Sequence, residues 1–419
     1  MSVAQSTSVA TILREHVTLE VESIDRMYLN VYVPLLQRAQ GVVRFFRHHR
    51  GATFASSALM EPISTAFVAA LERYARTQGV PLLTFAKGQR KDDVAATHLA
   101  SFQGQEGVLF IGKAQEKAHV FRTEKRRNPQ TGQAYPWIVP STALVNHYDI
   151  YAVDADFGPF FLKFCSYVPS TAKLCLNGHE YLKRQLVKDG MAYDALDNGI
   201  RSCADPARAQ EIADGLSAPL IDGLLRKWLA RVPHPFTPED RDAGYRYDVS
   251  ILQAEFALTQ VLDRPLTGRI LFEEIIRENL DLGRPDQVQL IFARRVTKRT
   301  PGRFRTRVIT HGVTPSLYVD DKKTRLKQYH KEGRALRTET TINDTRDFAI
   351  GKRLHNLPAL RALGFSANRR LLDVQTLSHD CQIGEDAFAR VTRPQRVGDQ
   401  RVAALPFADP RVQALLSVL

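Results

Sequence analysis

Cysteine is scarce in this chain. Four residues (Cys165, Cys175, Cys203, Cys381) are spread over 419 positions, too few and too scattered for a disulfide framework. No Cys-x-x-Cys occurs, so Cys165, Cys175, His179 and Cys203 lack the short ligand pairs of a structural zinc site. No apolar run approaches the roughly twenty residues of a membrane span. The first sixteen residues lack the basic start and apolar stretch of a secretory signal. The expectation is a cytoplasmic bacterial protein with no membrane partner. Neither a Ser-His-Asp pattern nor a glycine-rich dinucleotide motif is present. Gly107 to Ala114 reads G-x-x-x-x-G-K-A, but the apolar residues between its glycines predict a strand, where a phosphate cradle needs a loop.

What the chain has in excess is positive charge, and it is concentrated. The formal net charge is +13 and hydrophobic residues make up 44%, enough for packed cores. Between residues 294 and 337 stand fourteen Lys and Arg against Asp320, Asp321 and Glu332, a net of +11. A cationic block of this kind usually meets a polyanion, so DNA or RNA is the expected partner. The competing reading is a solvated sheet face that pairs its cations internally.

Pattern and punctuation predict an α+β protein: a mixed α/β domain over 1–215, a helical segment over 216–280, a basic antiparallel sheet over 281–345 and a helical tail over 346–419. Val17 to Val21 alternate as a strand. Ser23, with Asp25, predicts a capped helix through Gln37. A helix is expected over 56–78, and further helices over 178–188 and 206–215. Two hairpins are expected, one across NPQTGQ (128–133) and one across DADFG (154–158). Leu220, Ile221, Leu224, Leu225, Trp228 and Leu229 form a helical stripe, and a second helix is expected over 247–262. In the basic segment, 303–310, 324–331 and 335–342 read as strands. Asp409 and Pro410 start a terminal helix that ends in an apolar turn, so the chain reads as cut short before another domain.

The basic strands carry the candidate binding residues. Arg303, Arg305 and Arg307 alternate with Phe304 and Thr306, which puts guanidinium groups roughly 7 Å apart on one face. That is close to the phosphate repeat of a nucleic-acid strand, and Arg binds phosphate bidentately. Arg325, Lys327, Tyr329 and Lys331 line the next strand, with Arg337 on its partner and Arg294 further upstream. Such rows favour backbone contact over base reading, with Tyr318 and Tyr329 available to stack on a base.

Catalysis stays open. Asp154 and Asp156 in a hairpin turn, with Glu339 on a basic strand and Glu180 on a helix, supply the carboxylates of a Mg2+-dependent strand-cleaving or strand-transferring enzyme. The competing reading makes Asp154 and Asp156 turn formers and Glu339 an ion-pair partner of Arg337 or Lys327. Tyr329, between Lys327 and Lys331 and next to His330, is a candidate nucleophile toward a DNA phosphate. Its segment resembles the Lys-x-Tyr-x-Lys stretch of some rolling-circle replication initiators, but the His-hydrophobic-His metal motif of those enzymes is missing.

Four long strings carry a wider resemblance: IDRMYLNVYVPLLQ (24–37), FGPFFLKFCSYVPSTAKLCLNGHEYLKRQL (157–186), LKQYHKEGRALRTETTINDTRDF (326–348) and ALPFADPRVQALL (404–416). Through them the chain resembles a widespread family of bacterial proteins, mobile-element-associated in appearance and without an assigned activity. Longer members look as if they continue into a winged-helix-like segment. The resemblance implies a DNA-binding protein of a mobile element. It leaves open whether that protein cuts DNA or is a non-catalytic DNA- or RNA-binding module.

Overall fold

A computed structural model describes residues 15–32, 57–86, 89, 91–102, 106–165, 168–191, 206–234, 248–264, 305–309, 316–320, 323–331, 334–343, 350–382, 394–397 and 400–403. It is a mixed α+β protein with a large mixed sheet and, among the described residues, six helices. In chain order the first elements are β1 (Val17–Tyr32), α1 (Ser57–Gln78), β2 (Leu82–Thr84), α2 (Lys91–Ser101), β3 (Gly107–Arg127), β4 (Ala134–Asp154), β5 (Gly158–Cys165) and β6 (Val168–Asn177). Then come α3 (Gly178–Lys188), α4 (Pro206–Gly215), α5 (Ala218–Arg231), β7 (Asp248–Leu262), β8 (Arg305–Ile309), β9 (Ser316–Asp320), β10 (Thr324–Lys331), β11 (Ala335–Ile342) and α6 (Leu357–Gln382). A small hairpin, β12 (Pro394–Val397) with β13 (Gln400–Ala403), ends the described chain.

The chain forms two compact units that interleave in sequence. One comprises Met27–Glu180 and Ser217–Ile251; the other comprises Met1–Arg26, Tyr181–Leu216 and Leu252–Leu419.

In the first unit, β2 pairs parallel with β3, and β3, β4, β5 and β6 follow as antiparallel neighbours. Both expected hairpin turns form. Asn128 Oδ1 accepts from the Gln130 amide at 2.8 Å, and Gly132 takes the positive φ of +68° that closes the loop. At the second turn Asp154 Oδ1 accepts the amides of Asp156 and Phe157 at 2.8 and 3.2 Å. Residues alternate across the sheet, so each face has its own helices. Phe110 stacks on Tyr151 at 4.4 Å on the side where Val94, Ala95 and Leu99 of α2 pack. Phe164 and Tyr148, on the other side, meet Phe67 of α1 at 5.3 and 6.1 Å. The stripe expected on α5 buries Ile221, Leu224, Leu225, Trp228 and Leu229, each side chain contributing about 1.5–3 kcal/mol when fully buried.

In the second unit, β7 pairs with β11, β11 with β10, β10 with β9 and β9 with β8, all antiparallel. Helix α6 covers one face of this run. Asn368 accepts from the Thr340 hydroxyl at 2.7 Å and donates to the Phe256 carbonyl at 3.0 Å. Phe256 meets Phe365 edge-on at 5.6 Å. Gly364 makes that approach possible, because a Cβ there would lie 2.2 Å from the Phe256 ring.

Most elements fall where the sequence predicts. The strands expected at 324–331 and 335–342 are β10 and β11, and the helices at 178–188 and 206–215 are α3 and α4. Two helices are corrected. Ser23 does not cap a helix; it is buried inside β1, which runs on to Tyr32. Residues 247–262 are not helical either, because 248–262 form β7. The helix expected after Asp409 lies outside the described residues.

Candidate functional site

Strand register assembles a polar site in the second unit. Directly opposed residues of antiparallel strands share a face. Tyr329 lies opposite Arg337 and Lys327 opposite Glu339, while Arg337 lies opposite Thr259 and Thr341 opposite Glu255. Every one of these is on the face away from Thr340 and Phe256, hence away from α6. Asp25 of β1 joins them as an acceptor for Arg337.

Arg337 is the hub. It is only 2% exposed, yet each guanidinium nitrogen has an acceptor. Nε donates to Glu339 Oε1 at 2.6 Å, Nη1 donates to the Thr259 hydroxyl at 3.3 Å, and Nη2 donates to Asp25 Oδ1. Glu339 also accepts the Tyr329 hydroxyl at 2.7 Å and faces the Lys327 ammonium at 3.5 Å. That ammonium lies 4.0 Å from the centre of the Tyr329 ring, a cation–π contact.

Electrostatics divides the carboxyls. Burial would raise Glu339, but the Arg337 guanidinium and the Lys327 ammonium hold it down at about 2. Burial, reinforced by the charges of Glu339 and Asp25, pushes Glu255 up to about 8. Near neutrality Glu255 therefore keeps its proton, while Glu339 faces both Arg337 and Lys327 and Asp25 pairs with Arg337. Burial also raises the Tyr329 phenol above its usual range, which leaves it a poor nucleophile at neutral pH.

Asp25, Glu255 and Glu339 present oxygens that all lie within 4.8 Å of one another. This donor set suits a hard divalent cation. The fit is conditional, since Arg337 already bonds two of the three and Glu255 holds a proton that a cation would have to displace.

Of the expected metal ligands, Glu339 alone belongs to this cluster. Asp154 is 1% exposed in the other unit. Its Oδ2 accepts from Lys227 Nζ at 2.7 Å and Trp228 Nε1 at 2.8 Å, and its Oδ1 fixes the turn amides. Those four donors lower its pKa against the effect of burial. Asp154 is thus the turn former and helix anchor of the competing reading. Asp156 contributes its amide to that turn and is exposed. Asp25 and Glu255 are the carboxyls of the cluster that sequence reading did not single out. Both sat in segments read as helices, where their cross-strand alignment with Glu339 does not appear.

The expected cationic row divides as well. Arg337 is corrected from a surface contact to a buried ion-pair hub, because β11 is buried at all eight positions. Strand β10 keeps its alternation: Thr324, Leu326, Gln328 and His330 are buried, while Arg325 is exposed and Lys327, Tyr329 and Lys331 are half-buried. Register continues the row outward. Arg325 and Arg305 both lie opposite Asp320 of β9, and Lys327 and Arg307 both lie opposite Tyr318. Arg294 and Arg303 lie outside the described residues.

Elsewhere, Gly107–Ala114 belongs to β3, as the strand reading requires, and Cys175 is a buried free thiol. No helix among the described residues is long and apolar enough to cross a membrane. Comparison with protein-family models, with curated proteins and with solved structures found no match to this chain.

Proposed function

We propose that this protein binds nucleic acid, with DNA the favoured partner, through the cationic strands β8–β10, outward of the buried β11. The observation that carries the reading is the sorting on β10. Its cations, Arg325, Lys327 and Lys331, all occupy the positions opposite the buried residues, and cross-strand register aligns Arg305 and Arg307 with them. The charge excess of residues 294–337 supports it. A phosphate backbone would meet Arg325 and Lys331, and Tyr318 would be a candidate to stack on an unpaired base. The resemblance to mobile-element proteins agrees with this reading.

The test is equilibrium binding to a short labelled duplex across a salt series. Affinity should fall steeply with salt, the log–log slope being about −0.9 per phosphate neutralised. Arg325→Ala with Lys331→Ala should flatten that slope by about 2. A wild-type protein that leaves the duplex free at low salt would remove the proposal.

A second reading makes the protein a Mg2+-dependent strand-cleaving or strand-transferring enzyme, and the convergence of Asp25, Glu255 and Glu339 favours it. Asp25, Glu339 and a Glu255 that releases its proton to solvent would hold Mg2+, which would supply Lewis-acid polarisation to a phosphodiester held by the neighbouring cations. Supercoiled plasmid with Mg2+ should then be nicked by wild type and spared by Asp25→Asn. Plasmid left intact by wild type supports the non-catalytic binding module.

A further inference from the structure

The hairpin of β3 and β4 is far longer than the sheet that carries it. Pairing of β3 with β2 stops at Lys113, and pairing of β4 with β5 stops at His147. Beyond those points β3 and β4 continue for thirteen pairs, from Gln115 opposite Asn146 to Arg127 opposite Ala134. At strand rise this is an arm about 40 Å long. Among the described residues no third strand joins it. Thr142, Ala143 and Leu144 are consecutive and all exposed, Leu144 at 63%. Consecutive strand residues point to opposite faces, so the ribbon is uncovered on both sides there. Prolines at 136 and 140 fit an edge strand, the place where a sheet tolerates them.

The arm is also cationic. From Gln115 to Asn146 it carries Lys117, Arg122, Lys125, Arg126 and Arg127 against Glu116 and Glu124. Lys125, Arg126 and Arg127 are consecutive and exposed at the distal end, beside a turn of polar and small residues, Asn128 to Gln133. Large apolar side chains are missing from that turn, which argues against insertion into a bilayer.

We infer that the β3–β4 arm is a second nucleic-acid contact that lies along duplex DNA, with Lys125, Arg126 and Arg127 on backbone phosphates. The inference rests on the nucleic-acid reading above and adds a surface in the other unit. A two-stranded ribbon fits the roughly 12 Å major groove of B-form DNA. The narrow major groove of A-form RNA does not admit it, which selects duplex DNA.

The experiment compares three full-length proteins by fluorescence anisotropy on a 30-base-pair DNA duplex: wild type, the arm variant Lys125→Ala/Arg126→Ala/Arg127→Ala, and the sheet variant Arg325→Ala/Lys331→Ala. The arm positions are exposed, so an unchanged thermal melt certifies folding. The arm variant should bind at least tenfold more weakly, with a salt slope shallower by about 2–3. Duplex RNA of the same length and anionic vesicles should compete poorly. An arm variant that matches wild type while the sheet variant weakens would overturn the arm and leave the sheet reading standing. Absence of duplex binding by wild type would overturn both. Competition by duplex RNA or vesicles equal to that by DNA would overturn the assignment to DNA.

Discussion

Arg337 joins two carboxylates that have little other compensation. Removing it leaves Asp25 and Glu339 without the guanidinium between them, with Lys327 3.5 Å from Glu339 as a half-buried cation nearby. Breaking a buried ion pair from one side costs about 3–5 kcal/mol, so Arg337→Met should lower unfolding stability by that order in urea titration. Adding Glu339→Gln should recover part of the loss, because it removes one stranded charge. A double variant no more stable than the single would show that packing rather than charge is lost. Glu255 gives the site a pH dependence of definite sign. Its pKa rises from 4.5 to about 8 on folding, so the folded state binds the extra proton. Its contribution is complete below about 4.5 and is lost as pH rises through 8. Stability measured at pH 6 and pH 8.5 should therefore fall more steeply for wild type than for Glu255→Gln, which stays neutral throughout. Parallel profiles would place Glu255 in a more hydrated setting.

The strands and the helices of the second unit depend on close approach. Gly364 lets α6 settle on Phe256, and a Cβ would overlap the ring at 2.2 Å. Gly364→Ala should destabilise by about 1–3 kcal/mol through overpacking, in spite of alanine's better helix propensity, and Gly364→Ala with Phe256→Leu should recover part of it. Thermal melts of the three proteins measure this. Legibility in the sequence followed coverage. Strands β10 and β11 were readable because turn residues bound them, and β10 alternates between water and core. Strand β7 was not, since Phe256 to Leu262 are buried without interruption. A strand covered on both faces loses the period-two signal, and its apolar residues then imitate a helical stripe. In β1 the odd-numbered Leu19, Val21, Met27, Leu29 and Val31 are all buried, a pattern that was present but was outweighed by the capping chemistry of Ser23 and Asp25. Missing these two strands hid the acidic cluster, because only cross-strand neighbours bring Glu255 and Asp25 to Glu339.

At the scale of the molecule, the arm proposed above would add a second cationic stretch, Gln115–Asn146, to the one read at residues 294–337. Asp154 and Glu339, candidate ligands together in the sequence, belong to different units. Asp154 anchors α5, and Glu339 anchors Arg337. The interleaving has a consequence for synthesis. The Thr18 hydroxyl bonds to the Val261 carbonyl, and the Asp263 amide bonds to the His16 carbonyl. The start of β1 thus emerges from the ribosome 243 residues before its partner, a wait of roughly 10–50 s at ordinary elongation rates. During that interval the edge of β1 that β7 will cover stays open, the kind of unpaired strand edge on which other chains can pair.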